Sequence, residues 1–508
     1  MASRFIKLEL MESVAITIID EADTINKEVD GAKKKFENEF GSNKMDVMIH
    51  RFPAGLGGVR SRYPYIVPRF VAIGPYHQGE EHLKKMEEVK KAAAKFFCDE
   101  LLGLHEPRVV TKKMEASKAV NEARGRYVDH MMEGTTRKDG HAATFAAMMF
   151  YDACFLLLYM VAYTHARGKE EDYHVNPSMR RFLFSNRDSI NNDIMLLENQ
   201  LPWPVIQALM GAVSEGQKRY LLTAVGKFIA GMGNAFKVCE TLNHEPDFRW
   251  DDENNPPPHL LALLRRHKTE NHTLSPSPSP LLSSPSSSPS QDDERRPLLN
   301  NCLGKIITKI KIPAAPKTPQ VTSSISSVSA MELQEIGIRL KASKTAAFSD
   351  MGFVEGRFWS DLYLAPLSLS DARASGLVNM AALEVCTASR FGDDPGRTAV
   401  CSYLALLAMF MVREEDVHTL RAKGLLHGPH SNTEMLTFFK TAVNHLPDGG
   451  SRYAHIMKDI AEYRAKRYIW IPVYRWVYNN YKTIITVVSI LGTVVGLFSA
   501  LFNLSKHK

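Results

Sequence analysis

A chain of 508 residues with 44% hydrophobic and 23% charged residues is long enough for two or three domains with real cores, so a wholly disordered polypeptide is excluded. Its formal charge of +7 comes from 63 Lys and Arg against 56 Asp and Glu spread along the length, so charge alone marks out no concentrated basic footprint for nucleic acid. The cysteines Cys98, Cys154, Cys239, Cys302, Cys386 and Cys401 form no CxxC pair and read as reduced, buried thiols. The first 49 residues form an N-terminal extension. Their longest apolar run, 14–19, follows Glu9 and Glu12, which is not the basic start and long apolar centre of a secretory signal.

A helical N-terminal portion is expected over residues 50–265. After an irregular, Gly-rich stretch, VPRFVAIGPYHQG contains a short β-type run at 69–73 closed by a Gly74-Pro75 turn. A helix follows, with Leu83, Met86, Val89, Ala93 and Phe96 or Phe97 as its docking stripe and Glu80-Lys84, Glu81-Lys85 and Glu87-Lys91 as i,i+4 pairs on its wet side. The apolar run 145–163 is as long as a membrane span but carries Asp152, which costs on the order of 3 kcal/mol at a bilayer centre, so it is expected to be a core helix. DIMLLENQLPWPV reads as two helical pieces broken at Pro202 and Pro204, with Asn199 closing the first.

Residues 266–330 read as a linker. Its centre, 275–290, is Ser or Pro at fourteen of sixteen positions, a composition that cannot offset the entropy of ordering. Ser275, Ser277, Ser279, Ser284 and Ser288 each precede proline and are candidate phosphosites. The acidic dileucine string at 294–299 and Asn271 in NHT are further candidate signals, each valid for one orientation of the chain only. A second helical portion is expected over 331–463, with a β-like section near 348–367 and a core helix at 399–412.

The end of the chain differs in kind. Residues 484–502 read IITVVSILGTVVGLFSALF, with no charge between Lys482 and Lys506; nineteen residues of helix span roughly 28 Å, close to the thickness of a bilayer core. A transmembrane helix is expected over 483–504, a buried hairpin helix being the other reading. The juxtamembrane segment 464–482 supplies Trp470, Tyr474, Trp476, Tyr478 and Tyr481 as interfacial rings, with Arg475 and Lys482 among its cations. More basic residues precede the span than follow it, which places the body in the cytosol. Gly492 and Gly496, with Ser489 and Ser499 on the same face, offer a packing surface for a second copy. The fold class is thus mainly α with minor β, in two soluble portions and one C-terminal span. The expected partners are a lipid bilayer, an unnamed protein and a possible second copy, without nucleic acid, metal or cofactor.

Catalytic signatures are missing: HExxH, GxSxG, GxxxxGK[ST] and GxGxxG do not occur. His77 and His82 are five residues apart, on different helical faces, and read as turn and solvated first-turn residues. His427 and His430 sit in a Gly-Pro loop without ligand-spaced neighbours. Asp193 and Glu198 read as helix-end hydrogen-bonding groups. Asp152 requires a buried partner, an arginine being the natural choice, or a raised pKa. An unrecognised hydrolase or transferase near Asp152 and Glu198 is the alternative to a binding protein.

In order, VPRFVAIGPYHQG, LKKMEEVK, MMFYDACFLL, DIMLLENQLPWPV, AMELQEIGIRLKAS and SYLALLAMFMVREEDVHTLRAKGLL resemble the plant family called domain of unknown function 247, or uncharacterised protein family 0481. The resemblance covers most of residues 63–504. Its motif residues here are Gly74, Pro75, His77, Asp152, Cys154, Glu198, Asn199, Gln200 and Pro202. Ala72 and Ala153 stand where the family usually has serine and glycine. The resemblance implies a largely helical, membrane-associated plant protein without an established catalytic activity, some of whose relatives are implicated in grass self-incompatibility.

Overall fold

The computed structural model describes residues 30, 31, 33, 48–53, 56, 67–103, 118–127, 141–165, 176–236, 254–270 and 328–506, the last without 344, 358, 389–394, 445, 447, 448 and 469. Nearly all of the N-terminal extension, Asn271, the five Ser-Pro sites and the dileucine string lie outside the described residues. Met1–Asn271 and Ser329–Lys508 belong to one compact unit. The architecture is mainly helical with a small β component, as expected.

Helix α1 (Lys84–Phe97) and α2 (Lys118–Ala123) precede the long α3 (His141–His165), against which α1 packs. Of the apolar window 145–164, 89% is buried, so α3 is the core helix its aspartate predicts. Each fully buried Leu or Phe along it contributes about 1.5–3 kcal/mol. The stripe of α1 that faces it is Leu83, Met86, Lys90, Ala93 and Phe97. Lys90 takes the place expected for Val89. The glutamates pair at i,i+3 instead of i,i+4, Glu81–Lys84 (2.5 Å) and Glu88–Lys91 (2.7 Å) on the wet side and Glu87–Lys90 (2.6 Å) at its buried edge. Both spacings are neighbours on a helix surface, and Lys90 is drawn inward by its partner on α3.

Helices α4 (Pro177–Ser185), α5 (Arg187–Ile194), α6 (Trp203–Met210), α7 (Glu215–Asn234) and α8 (Leu260–Thr269) complete the first part. The Asn176 side chain accepts from the Ser178 N–H to open α4, and a reciprocal Ser214–Gln217 capping box opens α7. Pro204 sits in the first turn of α6, where a missing N–H costs nothing. Helix α5 stops at Ile194, so Asn199 does not close it. Beyond α5, single turns of backbone bonding at Met195, Leu196 and Asn199 alternate with side-chain bonds, Asn199 and Gln200 donating to the carbonyls of Asp193, Ile194 and Leu196. The expected linker boundary at 266 falls inside α8, whose apolar face Leu260, Leu261, Leu263 and Leu264 is buried.

After the undescribed stretch, α9 (Ala330–Glu335) starts at a Ser329–Glu332 capping box. Strands β1 (Ile338–Ala342), β2 (Gly352–Val354) and β3 (Ser360–Leu364) form a sheet of order β1-β3-β2, β1 parallel and β2 antiparallel to β3. Burial alternates along β3, which leaves Asp361 on the outer face between Arg339 (2.7 Å) and Lys341 (2.7 Å). The sheet occupies the β-like section that was expected, with β1 added ahead of it. Strand β4 (Leu367–Ser368), α10 (Asp371–Thr387), α11 (Ala399–Phe410), α12 (Glu414–Ala422), β5 (Leu426–His427), α13 (Asn432–Val443) and α14 (Gly450–Lys466) follow, and β4 pairs with β5 in parallel. Helix α10 packs on α5 and α8, and α11 packs on α13 and α14. From α10, the Asn379 Oδ1 accepts the Leu197 N–H at 2.8 Å, a buried stitch between the two sequence portions.

The last helix, α15 (Trp470–Lys506), is 37 residues long, about 55 Å. Its base is tied to α9: Arg475 Nε lies 3.1 Å from Glu335, and the Tyr478 hydroxyl donates to Gln334 Oε1 at 3.1 Å. From Asn480 to Leu497 the helix is apolar enough to cross a bilayer by length and composition, and 0% of that window is buried.

His259 caps α8 and is fully buried; its Nδ1 accepts the Ala262 N–H, and its Nε2 has no hydrogen-bond partner. Burial, and then the nearby His50, lowers its pKa to about 3. The unfolded chain binds this proton near pH 6.5 while the folded chain refuses it, so stability is complete above 6.5 and is lost as pH falls towards 3. Each pH unit in that window removes about 1.4 kcal/mol. Urea unfolding of the full chain at pH 7 and pH 5 will register about 2 kcal/mol of loss from this residue, and His259→Asn, which keeps a capping side chain, will remove that part of the slope.

Candidate functional site

Residues 67–77 form neither helix nor strand, and 71–74 among them are buried. The expected β-type run at 69–73 has no ladder partner because side chains take its hydrogen bonds. The Asp193 carboxylate, at the end of α5, accepts the N–H groups of Arg69 (3.1 Å), Phe70 (2.7 Å) and Val71 (2.9 Å). The Asn199 side chain behaves as a substitute strand: its Oδ1 accepts the Ile73 N–H at 2.6 Å, and its Nδ2 donates to the Val71 carbonyl at 3.0 Å and to the Asp193 carbonyl at 2.9 Å. Burial pushes the Asp193 carboxyl above the usual carboxylate range, against the pull of those three N–H groups.

Asp152 Oδ2, on α3, accepts the Gly74 N–H at 2.8 Å, and its Oδ1 lies 2.7 Å from Lys90 Nζ in an ion pair not aligned as a hydrogen bond. Both side chains are 1% exposed, so neither charge is solvated and each depends on the other. The expected arginine partner is thus a lysine. Burial pushes the Asp152 carboxyl up, with Lys90 pulling the other way. Burial also opposes charge on Lys90, but the attraction of Asp152 and Glu87 outweighs it and holds the ammonium above its ordinary value.

Beyond Gly74 and Pro75, His77 lies in a turn, as expected, and is buried there, 4% exposed. The turn folds back so that its Nδ1 lies 2.9 Å from Glu80 Oε1 and its Nε2 3.5 Å from Glu198 Oε2. His82 is exposed, as expected. Glu198 Oε1 accepts the Phe52 N–H at 2.8 Å and Oε2 pairs with Arg51 at 2.9 Å, while the Arg51 guanidinium stacks 3.7 Å over the Tyr76 ring. Neither Asp193 nor Glu198 serves the helix end assigned to it; each holds a remote piece of backbone. Gln200 completes the set, its Nε2 donating to the Ile194 and Leu196 carbonyls (2.6 and 2.7 Å) and its Oε1 accepting the Leu261 N–H at 3.1 Å.

A family profile described as a plant protein of unknown function, DUF247, matches residues 49–495. The chain belongs to the DUF247 family. A UPF0481 protein of Arabidopsis thaliana is 26% identical over 408 residues, 79% of this chain and 74% of the relative. No solved structure matches. Gly74, His77, Asp152, Glu198, Asn199 and Gln200, among the residues on which the resemblance was drawn, meet around residues 69–77, and Pro202 leads into α6. Cys154 is buried on α3; Cys98, Cys386 and Cys401 are likewise unpaired thiols, with burial pushing Cys98 up to about 11 and Cys386 to about 12, so none is a ready nucleophile. No group of three or more metal-ligating side chains occurs among the described residues.

In this DUF247 site the acids spend their lone pairs on backbone N–H groups and on Lys90 and Arg51, an arrangement that fixes chain geometry. Lys90, Arg51 and Tyr127, whose hydroxyl donates to the Gln200 carbonyl at 3.1 Å, were not singled out in the sequence. A lysine on the apolar stripe of α1 was the signal for the first; the others lie in irregular segments without periodicity. The same device recurs at Glu384 on α10, 0% exposed, which accepts the Val400 (3.1 Å) and Cys401 (2.8 Å) N–H groups that open α11 and pairs with Arg265. An acid within the apolar run LVNMAALEVC carried the same sequence signal as Asp152.

Lys90→Met will strand Asp152 and destabilise the chain by about 3–5 kcal/mol, and adding Asp152→Asn will restore part of the loss, a coupling of about 1–3 kcal/mol in a double-mutant cycle read by urea unfolding. Gly74 has φ 73°, and an added Cβ would stand 2.8 Å from the Gln200 carbonyl and 2.9 Å from the Tyr127 hydroxyl. Gly74→Ala will therefore lower stability by about 3 kcal/mol in the same measurement.

Proposed function

We propose that this DUF247 protein is a membrane-anchored interaction component: α15 holds the compact unit at a bilayer, and the unit presents a rigid surface to a protein partner in recognition or signalling. The observation that carries the anchor is the contrast between two apolar helical windows of similar length, 145–164 and 480–497. The one at 145–164 is buried in protein, whereas Ile485, Val488, Leu491, Val495 and Leu497 on α15 are each about 60% exposed. Exposed apolar surface of that extent in water is unfavourable by roughly 25 cal/mol per Å², and lipid removes the cost.

The rings of Trp470, Trp476 and Tyr481 are exposed where the headgroup layer would lie. Tyr478 and Arg475 lean on α9, so the body is fastened to the base of its anchor. Gly492 and Gly496 have nothing within 4 Å of an added Cβ, which supports their use in packing against a second copy in the bilayer. The excess of Lys and Arg before the span supports a cytosolic body. The catalytic alternative near Asp152 and Glu198 is the weaker reading, since both acids are engaged in holding backbone.

After cell lysis without detergent, the full-length chain will sediment with membranes and resist alkaline extraction, while a chain ending at Tyr481 will remain in the supernatant. Full-length protein in the supernatant contradicts the anchor. In sealed vesicles with the native orientation, added protease will digest the body; a protected body reverses the orientation.

A further inference from the structure

We propose that the cleft between α3, α4, α5, α7 and α10 binds a small organic anion, a phosphate or carboxylate carrying an apolar group. The cleft, about 320 Å³, falls at the small end of the range for small-molecule sites. Tyr159 and Tyr163 of α3 and Phe184 of α4 give it apolar walls, and Arg180, Arg187 and Arg373 converge on it. The one acid in its lining is Asp188, 88% exposed and 3.4 Å from its own neighbour Arg187.

Arg373 is the decisive residue. It projects from the first turn of α10, half-buried, and its Nη1 donates to Ser368 Oγ. No carboxylate pairs with Arg373 or Arg180 among the described residues. Burial lowers the pKa of Arg373, since its charge has lost part of its hydration. A guanidinium in that position gains most from a planar or tetrahedral oxyanion, which it binds through paired N–H donors.

The apolar walls are as specific as the charge. Gly231 on α7 allows the Tyr163 ring to lie flush, since an added Cβ would stand 2.6 Å from the Tyr163 hydroxyl. The Tyr159 hydroxyl donates to Asn191 Oδ1 at 2.7 Å, which fixes the floor. Arg373 comes from the second sequence portion and the other lining residues from the first, so the cleft exists only in the assembled unit. This site is independent of membrane anchoring.

Calorimetric titration of the full-length chain in detergent with phenyl phosphate, benzoate and inorganic phosphate tests it. Phenyl phosphate or benzoate will bind saturably, one per chain, and more tightly than inorganic phosphate. Arg373→Gln and Arg180→Gln will each weaken that binding by about tenfold. Lys85→Gln, an equal loss of charge at an exposed site, will leave it unchanged. Arg180 is exposed, so its substitution decides the matter if Arg373→Gln fails to fold. Absence of saturable binding, equal affinity for inorganic phosphate, or equal weakening by Lys85→Gln overturns the proposal.

Discussion

A buried stretch of chain that joins no helix or sheet must still pair every N–H group, and in this protein carboxylates and amides from other elements pair them. Asp193 gathers three consecutive N–H groups of residues 69–71, Asn199 takes the next bond, and Asp152 holds the N–H of Gly74. An unpaired buried amide costs about 1–3 kcal/mol, so leaving open the three buried ones, at Val71, Ile73 and Gly74, would remove much of the stability of an ordinary domain. The acids introduce a desolvation penalty of their own. Lys90 offsets it at Asp152, Arg51 at Glu198 and Arg265 at Glu384, each within 3 Å.

That arrangement determines how the rest is assembled. The segment at 67–77 links Asn199 of the 195–202 turn, through Val71 and Ile73, to Asp152 of α3, through Gly74, and from that turn the Leu197 N–H reaches Asn379 on α10. Glu384, one turn further along α10, fastens the start of α11 and, through Arg265, α8. The two sequence portions therefore close into one unit in spite of the long Ser/Pro-rich stretch between them. The proposed anion cleft depends on this closure, because Arg373 reaches it from the second portion and its other lining residues come from the first.

Much of this was legible in the sequence where periodicity or composition carries the information. The core identity of α3 followed from one aspartate in an apolar run, the sheet from the β-rich section near 348–367, and the exceptional character of the last helix from its uncharged length. The 69–73 run was read as β-type because a short apolar run closed by Gly74-Pro75 marks a non-helical backbone and not the partner that takes its hydrogen bonds. Asn199 and Asp193 were misassigned to helix ends for a related reason: a side chain that replaces a backbone neighbour looks, in one dimension, like a capping residue. Lys90 escaped notice since a lysine on an amphipathic helix ordinarily faces water, and only the step pattern 83, 86, 90, 93, 97 places it on the inner face.

The central claim is that side chains protect the backbone of residues 69–74 as securely as secondary structure would. Native-state amide hydrogen exchange on the full-length chain measures this residue by residue. The amides of Phe70, Val71, Ile73 and Gly74 are predicted to exchange as slowly as those in the middle of α3, through global unfolding. Exchange at the rate of an open loop would contradict the account.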